Sequence, residues 1–399
     1  MSNVFHAPFT VAGTQTGQTS SRIATEWHTR PMDERFLSLQ EMIDFKRRDS
    51  QGLRSSIVDT HDLEVIGDID ENNPRHGSVM VSYRDGNGEG LRRPTHWSMG
   101  QLAQLSGAPA AYLRDLPAPL AADCIQWGLR HNRSREQVKA YAGPAGTHLR
   151  AMTGPDYGRI QDLELLEPIQ RLVEESGGRW KIPGRLLNWA GDRMTYDPEA
   201  PVTLESTSLF ASDRDVFVFL VDDRNPIEVG RLPNGEPDLV FKGFYAWNSE
   251  VGSKTAGIAG FYLRGVCNNR LLTGIQDFQE IRIRHTKYAP DRFAAEARPA
   301  LADFARSGAR SFVETTQAAK AAEIAHDKDT QLKFLTRRAG MSQRLATAAL
   351  SRHLAEEGRE MRTVWDAAQA ITAVARDIPH QEDRVTLERK AGELLAAVA

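Results

Sequence analysis

The sequence has few cysteines and few of the features that mark secreted or membrane proteins. Its 399 residues include only Cys124 and Cys267, and no CxxC pair occurs. Two such cysteines make neither a disulfide framework nor a zinc site of the usual spacing. There is no secretory signal pattern, and every apolar run is shorter than the roughly 18 residues of a membrane span. We therefore expect a reduced, cytoplasmic protein with no membrane role.

The motifs of common enzymes are missing as well. The 11 histidines are scattered, and HExxH, HxH, GxxxxGK[ST] and GxSxG do not occur. The missing motifs therefore disfavour the common hydrolases and nucleoside triphosphatases. Gly86, Gly88 and Gly90 alternate in a turn but do not form the GxGxxG of a dinucleotide site. No cofactor is expected.

The sequence also has no excess of positively charged residues. Lys and Arg number 50 against 53 Asp and Glu, which gives a formal net charge of −3. Proteins that bind nucleic acid through their total charge are strongly basic, so only a local basic patch remains open. The 40% of hydrophobic residues can bury a sizeable core in a chain of this length.

Changes in composition and periodicity divide the chain into four segments. Residues 1–35 are predicted to be a mobile arm, because they are rich in Thr, Ser, Gly and Gln without a sustained period. Residues 36–145 contain a helix, a hairpin and a small helical segment, 146–328 a central α+β core, and 329–399 a helical C-terminal region. The predicted fold class is α+β, with a central antiparallel sheet followed by a long packing helix.

The N-terminal segment is predicted to contain a helix over Phe36–Arg48 and a hairpin over Ser78–Trp97. Its Asp-Gly-Asn-Gly turn is the strongest hairpin signal in the sequence. The stretch that follows has the spacing of a helix-turn-helix. Pro117 and Pro119 would shorten its recognition helix, which favours two short packing helices over a unit that binds a DNA groove.

Strands and turns dominate the central segment. Val216–Leu220 is apolar on both faces, which predicts a central strand. Asp238–Asn248 and Thr255–Val266 follow as strands, and Glu280–Tyr288 as a short fourth. Before them, the turn at GPDYG either presents Arg150, Tyr157 and Arg159 at the end of the sheet, or packs Tyr157 on the following helix and leaves both arginines in solvent. Asp162 is predicted to cap that helix.

Helices are predicted from residue 289 onward. Apolar residues at intervals of three and four indicate one long helix over Ala289–Lys328, with a kink at Pro299. The C-terminal region is predicted to contain three helices, with breaks near Gly340, Gly358 and Pro379. Its LTRRAGMSQRLATAAL stretch faintly resembles a helix-turn-helix, but a plain helical tail or an oligomerisation bundle is the favoured interpretation.

One acidic group could bind a metal ion. Asp213 and Asp215 precede the central strand, and Glu250 lies in the turn after the next strand. A magnesium-dependent nuclease needs two or three converging carboxylates, which these residues could supply. Arg214 lies between the two aspartates, so an ion-paired strand end is the competing interpretation.

A basic and aromatic group lies in the same part of the chain. Single-stranded nucleic acid needs cations for its phosphates and flat side chains for its bases. The residues predicted to neutralise phosphate are Lys254, Arg264, Arg270, Arg282, Arg284 and Lys287, and those predicted to stack on bases are Tyr245 and Trp247. The competing interpretation is ordinary sheet packing, because strand aromatics usually belong to a core and strand arginines often lie along a sheet edge.

Four successive blocks of the sequence carry a family resemblance. They are LRAMTGPDYGRIQDLELL, SLFASDRDVFVFLVDD, FKGFYAWNSEVGSKTAGIAGFYLRGVCNNRLL and RIRHTKYAPDRF. Together they resemble the phage- and plasmid-associated domain-of-unknown-function family 932 over Trp97–Arg310, and Asn248–Asn269 is the most specific part. The resemblance implies a mobile-element setting but no activity.

The order of strands and helix also resembles the single-strand annealing proteins of phages, which assemble into rings. No DNA-contacting residue can be carried over from that architectural similarity. The leading hypothesis is a non-catalytic protein that binds or anneals single-stranded DNA, and we expect it to form a homo-oligomer, as those ring proteins do. The alternatives are a magnesium-dependent nuclease or other phosphate-handling enzyme, and an anti-defence protein that uses its acidic DLEVIGDIDE stretch as a nucleic-acid mimic.

Overall fold

The fold is taken from a computed structural model of the chain. It describes residues 30–69, 77–85, 88–131, 136–189, 193–232, 235–264, 270–271, 281–324, 327–375, 377–378 and 381–398. The predicted mobile arm lies, except for its last six residues, outside the described residues. Within these ranges, no helix combines the length and the apolar character needed to cross a membrane.

The first part of the chain forms strands and helices up to residue 175. In chain order they are β1 (Arg35–Phe36), α1 (Leu39–Asp49), β2 (Arg54–Asp59), β3 (Glu64–Ile69), β4 (Gly77–Asp85), β5 (Gly88–Pro94), α2 (His96–Ser106), α3 (Ala110–Asp115), α4 (Ala118–His131), β6 (Gln137–Ala142), β7 (His148–Thr153) and α5 (Asp162–Glu175). Six of the strands form one sheet in the order β2-β6-β7-β5-β4-β3, in which only the β5–β7 pair is parallel. The predicted hairpin is its β4–β5 pair.

The second group of strands forms most of the central sheet and a separate hairpin. They are β8 (Arg185–Trp189), β9 (Arg193–Asp197), β10 (Leu209–Ala211), β11 (Val216–Arg231), β12 (Pro237–Asn248), β13 (Ala256–Arg264), β14 (Arg270–Leu271) and β15 (Ile281–Ile283). The sheet is antiparallel, with the order β1-β10-β11-β12-β13-β14, and β15 also pairs with β13. The β8–β9 pair forms a separate hairpin. The sequence-predicted strands 216–220, 238–248, 255–266 and 280–288 thus correspond to β11, β12, β13 and β15.

Helices make up the remainder. They are α6 (Ala289–Arg292), α7 (Arg298–Arg306), α8 (Arg310–Ala321), α9 (Lys328–Arg337), α10 (Gln343–Glu357), α11 (Val364–Ala375) and α12 (Gln381–Ala396), and a π-helical segment, Phe293–Ala297, joins α6 to α7. The α+β class and the helical C-terminal region are confirmed. The division into four segments stays a prediction, and in the structure β1 and α1 pack with the central sheet.

The predicted helix over Ala289–Lys328 is helical but interrupted. Its first break, after α7, is fixed by the buried Lys242, whose Nζ donates to the Ser307 carbonyl at 2.6 Å and to the Phe304 carbonyl. Its second break follows α8, where residues 322–324 form hydrogen bonds with residues 362–364. A separate helix, α9, begins at Lys328, so the described C-terminal region contains four helices instead of three. Gly340 and Gly358 lie between helices with positive φ, as the predicted breaks require.

The central sheet is buried on both faces. One face packs against α1, α5 and the α6–α7 segment, through residues such as Val218, Phe244 and Phe293. The opposite face is an aromatic cluster that includes Phe217, Tyr245 and Trp247. The side chains of β12 therefore alternate, with Tyr245 and Trp247 on one face and Phe244 on the other. Burial on both faces explains why the strand residues are apolar without the alternation of a half-exposed sheet.

Candidate functional site

The stretch NSEVGS begins the block Asn248–Asn269, the most specific part of the family resemblance, and most of it is buried between the two sheets. Asn248 donates through Nδ2 to the Ile160 carbonyl and to Asp162 Oδ1, both at 2.8 Å. Ser249 Oγ donates to the Arg214 carbonyl at 2.7 Å. The loop β12–β13 thereby holds the start of α5 and the turn before β11 in one place.

The same loop also reaches the N-terminal sheet. The Val251 carbonyl accepts hydrogen bonds from Trp97 Nε1 at 3.0 Å and from Gln101 Nε2 at 2.9 Å, both on α2. Tyr157 Oη donates to the Ser249 carbonyl at 2.9 Å. The structure matches neither of the two arrangements left open for the GPDYG turn in full. Tyr157 packs inward, but Arg150 and Arg159 are buried instead of solvent-exposed.

A cluster of charged residues lies next to this loop. It contains three cations and three carboxylates, all buried or nearly so: Lys46, Arg150, Arg159, Asp49, Asp162 and Glu250. Burying so many charges is tolerated only when they are paired and hydrogen-bonded. We call these six residues the inner charge cluster.

Two of the three cations of the inner charge cluster, Lys46 and Arg150, are held by specific bonds. Lys46 Nζ lies 3.1 Å from Asp49 Oδ2 and 2.9 Å from Asp162 Oδ2. Arg150 Nη1 donates to both oxygens of Asp49 at 2.8 Å. Glu250 Oε1 accepts from the Asp162 backbone N–H at 2.8 Å, at the start of α5 where unpaired amides favour a carboxylate.

Burial and neighbouring charges shift the pKa values of Lys46, Asp162 and Arg159. Burial opposes the charge of Lys46, but Asp162 and Asp49 raise its pKa above the ordinary value. Burial also raises the pKa of the Asp162 carboxyl, with Lys46 opposing the shift and Glu250 adding to it. The guanidinium of Arg159 lies 3.8 Å from the ring centroid of Tyr141, and its burial lowers its pKa.

The carboxylates of the alternative metal site are occupied by other partners. Asp215 Oδ2 lies 2.6 Å from Arg30 Nη2 and 2.9 Å from Lys254 Nζ. Burial would raise the pKa of Asp215, but Arg30 and Lys254 hold it well below its usual value. Glu250 belongs to the inner charge cluster, and burial raises the pKa of Asp213. Within the described part of the chain, no three His, Cys, Asp or Glu residues are grouped so that they could hold a metal ion.

The two aromatic residues predicted to stack on bases are inside the protein. Tyr245 is 1% exposed and Trp247 is 4% exposed, and their ring centroids are 5.4 Å apart. The Trp247 ring fills the space beside Gly257 on β13, where an added Cβ would lie 2.2 Å from Trp247 Cζ2. In this structure neither ring offers a face to a ligand, and both serve packing.

The six predicted phosphate-binding cations separate into two groups. Lys254 pairs with Asp215, and Arg264 is buried with its Nε 2.8 Å from Asp238 and its Nη1 2.6 Å from Glu357. Arg270 is placed only by its backbone in β14, and its side chain lies outside the described residues. The others are solvent-exposed: Arg282, Arg284 and Lys287.

These three exposed cations lie next to an exposed ring. Tyr288 follows Lys287 directly and is 64% exposed, and Lys287 Nζ lies 5.9 Å from its ring centroid. We call Arg282, Arg284, Lys287 and Tyr288 the exposed strip. The sequence places Tyr288 at the end of a predicted strand, Glu280–Tyr288, and assigns it no role. In the structure β15 ends at Ile283, and Tyr288 directly precedes α6.

Buried contacts hold the backbone of the exposed strip in place. Ile283 is buried in β15, and the Gly158 N–H donates to the His285 carbonyl at 3.1 Å. The His285 ring stacks on Tyr157 at 4.8 Å, and its Nδ1 lies 3.0 Å from the Gly158 carbonyl. Burial lowers the pKa of His285, which favours the neutral ring in that contact. The cations therefore project from a rigid support.

A family model matches more than half of the chain. The family is described as a domain of unknown function, DUF932, and the matched residues are 151–382. The match begins after the first block of helices and continues through α11, so it extends further into the C-terminal region than the sequence resemblance suggested. No curated protein is matched, and no solved structure is matched either.

Proposed function

The chain is a member of the DUF932 family, and we propose that it binds single-stranded nucleic acid through the exposed strip. The observation that carries the proposal is the exposure of Arg284, Lys287 and Tyr288 within five residues on a rigid support. Phosphates would lie against the two cations, and a base would stack on the Tyr288 ring. A mobile-element setting, strand annealing and homo-oligomer formation stay predictions.

Charge placement supports this use of the strip. Other exposed arginines of the nearby helices have a carboxylate partner: Arg306 Nη2 lies 2.8 Å from Asp303 Oδ1, and Arg310 Nε lies 2.9 Å from Glu314 Oε1. Arg284 and Lys287 have no ion pair with a described carboxylate. A phosphate can bind a cation that has no carboxylate partner without breaking an existing ion pair.

An exposed ring favours single strands over duplex. A base can stack on Tyr288 only when its own face is accessible, which in duplex DNA is not the case. Stacking of this kind contributes about 1–3 kcal/mol per base. The proposal therefore expects a preference for single-stranded over double-stranded oligonucleotides of the same sequence.

The test is fluorescence anisotropy of a labelled single-stranded oligonucleotide with unlabelled duplex as competitor. Tyr288→Ala should weaken binding about 10-fold or more, because a stacking contact is lost. Tyr112→Ala is the matched control, since Tyr112 is 60% exposed on α3, away from the strip in sequence. It should leave the affinity unchanged.

Three results would contradict the proposal. They are the absence of binding to any oligonucleotide, equal loss in both tyrosine variants, and a preference for duplex. The alternatives predict something different: a nuclease would cleave the oligonucleotide when magnesium is added, and an anti-defence protein would retain host proteins without binding DNA. Cleavage that Asp215→Asn abolishes would move the function to the acidic site.

A further inference from the structure

A cleft of about 370 Å³ lies beside the inner charge cluster. Its walls come from the end of α1, from the turn between β6 and β7, and from the start of β7. Its lining includes three apolar residues, Phe45, Leu53 and Pro144. It also includes Arg48, His148 and Arg150, together with the carboxylate of Asp49. The proposed nucleic-acid strip does not include any of these residues, so the cleft is a separate site.

The cations of the cleft are not fully used by the protein. Arg150 is 2% exposed; its Nη2 donates to the Asp213 carbonyl at 2.7 Å, and its Nε has no hydrogen-bond partner in the structure. Arg48 is exposed, and none of the described carboxylates forms an ion pair with it. By contrast, Asp49 is already bonded to both Lys46 and Arg150.

A third arginine lies next to the cleft. Arg93 on β5 is the direct partner of His148 in the parallel β5–β7 pair, so the two side chains leave the sheet side by side. Its Nε is buried without a hydrogen-bond partner in the structure. Burial lowers the pKa of His148, the charges of Arg150 and Arg93 lower it further, and Asp213 and Asp49 oppose the shift.

We infer that this cleft binds a small organic phosphate, with its phosphate group against Arg48, His148 and Arg150 and its apolar part against Phe45 and Leu53. A guanidinium presents parallel N–H donors that match phosphate oxygens, and a neutral imidazole adds one further donor or acceptor. The volume lies within the range of small-molecule sites and would admit a ligand of nucleotide size.

The first test is isothermal titration calorimetry with adenosine 5′-monophosphate, inorganic phosphate and adenosine. The monophosphate should bind more tightly than inorganic phosphate, because it also contacts the apolar residues, and adenosine should not bind measurably. Arg48→Ala should weaken binding of the monophosphate at least 10-fold. Because Arg48 is exposed, this variant should fold, which a thermal melt would verify.

Arg47→Ala is the matched control. Arg47 precedes Arg48 on α1, but it is paired with Asp44 at 3.0 Å and with Glu167 at 3.2 Å, outside the cleft. Its loss removes the same charge from the same helix turn and should leave the affinity for the monophosphate within 2-fold. Equal weakening in both variants would show a general charge effect and overturn the assignment.

The phosphate could belong to a free metabolite or to the end of a nucleic-acid strand. A dinucleotide with a 5′-phosphate, compared with the same dinucleotide bearing a 5′-hydroxyl, distinguishes the two sources. Tighter binding of the phosphorylated dinucleotide than of the monophosphate would assign the strand end, and the reverse order would assign the metabolite. No heat from any phosphate at millimolar concentration would overturn the proposal, whatever the exposed strip does.

Discussion

Trp247 shows how one neighbouring residue decides whether an aromatic ring packs or binds. It stands directly opposite Gly257 in the β12–β13 pair, and its indole ring covers that glycine. A side chain at position 257 would occupy the same volume as the ring. The glycine therefore allows the tryptophan to lie flat on the sheet inside the aromatic cluster, and the ring contributes packing energy instead of a ligand contact.

Gly257→Ala tests this packing. The added methyl group would collide with the Trp247 ring, so the ring has to shift inside a filled core, and we expect a loss of about 1–3 kcal/mol in the free energy of unfolding. The measurement is urea unfolding followed by tryptophan fluorescence. Gly154→Ala is the control, because an added Cβ there meets no atom within 4 Å. A loss no larger than that of the control would mean that Trp247 is not held in place.

Single residues were also where sequence analysis was least able to assign roles. A lysine or arginine in a strand has the same appearance whether it is exposed, like Arg282, or buried in an ion pair, like Arg264. The partners of Arg264 are Asp238, 26 residues before it, and Glu357, 93 residues after it. No local pattern contains that information, because the pairing depends on how distant elements meet.

The loop Asn248–Ser253 is the element that connects the two sheets. Its hydrogen bonds reach α2, the turn before β11 and the start of α5, and Glu250 places a carboxylate among the buried cations. Tyr141 Oη lies 3.4 Å from the second oxygen of Glu250. This loop is the first part of Asn248–Asn269, the most specific block of the family resemblance, and its hydrogen bonds hold three distant elements together.

Glu250→Ala tests the loop as a structural joint. The substitution leaves the Asp162 N–H unpaired and the inner charge cluster with one carboxylate fewer than cations, which should cost about 3 kcal/mol of unfolding free energy. Glu296→Ala removes an exposed carboxylate that pairs with Arg292 at 2.8 Å, and such pairs contribute about 0–1 kcal/mol. Denaturant unfolding of both variants gives the comparison. Equal, small losses would contradict the structural role.

The sequence predicted the elements that have strong local signals. It did not predict the elements whose position depends on contacts with distant parts of the chain. The hairpin β4–β5 and the strands β11–β13 carry turn residues or long apolar runs, and both are present. The edge strands β2 and β3 are short and half-exposed, so their periodicity is weak. The break after α7 depends on Lys242, which reaches it from 65 residues away and cannot be seen in a helical period.

At the scale of the whole molecule, charge is distributed unevenly. The chain as a whole is slightly acidic, and many of its charges are used in buried pairs that tie one element to another. Of the predicted phosphate-binding cations whose side chains the structure describes, Arg282, Arg284 and Lys287 are exposed. Binding of nucleic acid by such a chain would depend on a few cations acting locally, so its salt dependence should be modest and traceable to named residues.

The measurement that tests this most directly is the salt dependence of single-strand affinity for the wild type and for the double variant Arg284→Ala/Lys287→Ala. Each phosphate contact on a single strand contributes about 0.7 to the slope of log K against log salt concentration, so losing two should lower the slope by about 1.4. The control is Arg306→Ala/Arg310→Ala, which removes two exposed charges that already pair with carboxylates. The account predicts a lower slope for the first variant alone, and an unchanged slope, or an equal drop in both, would contradict it.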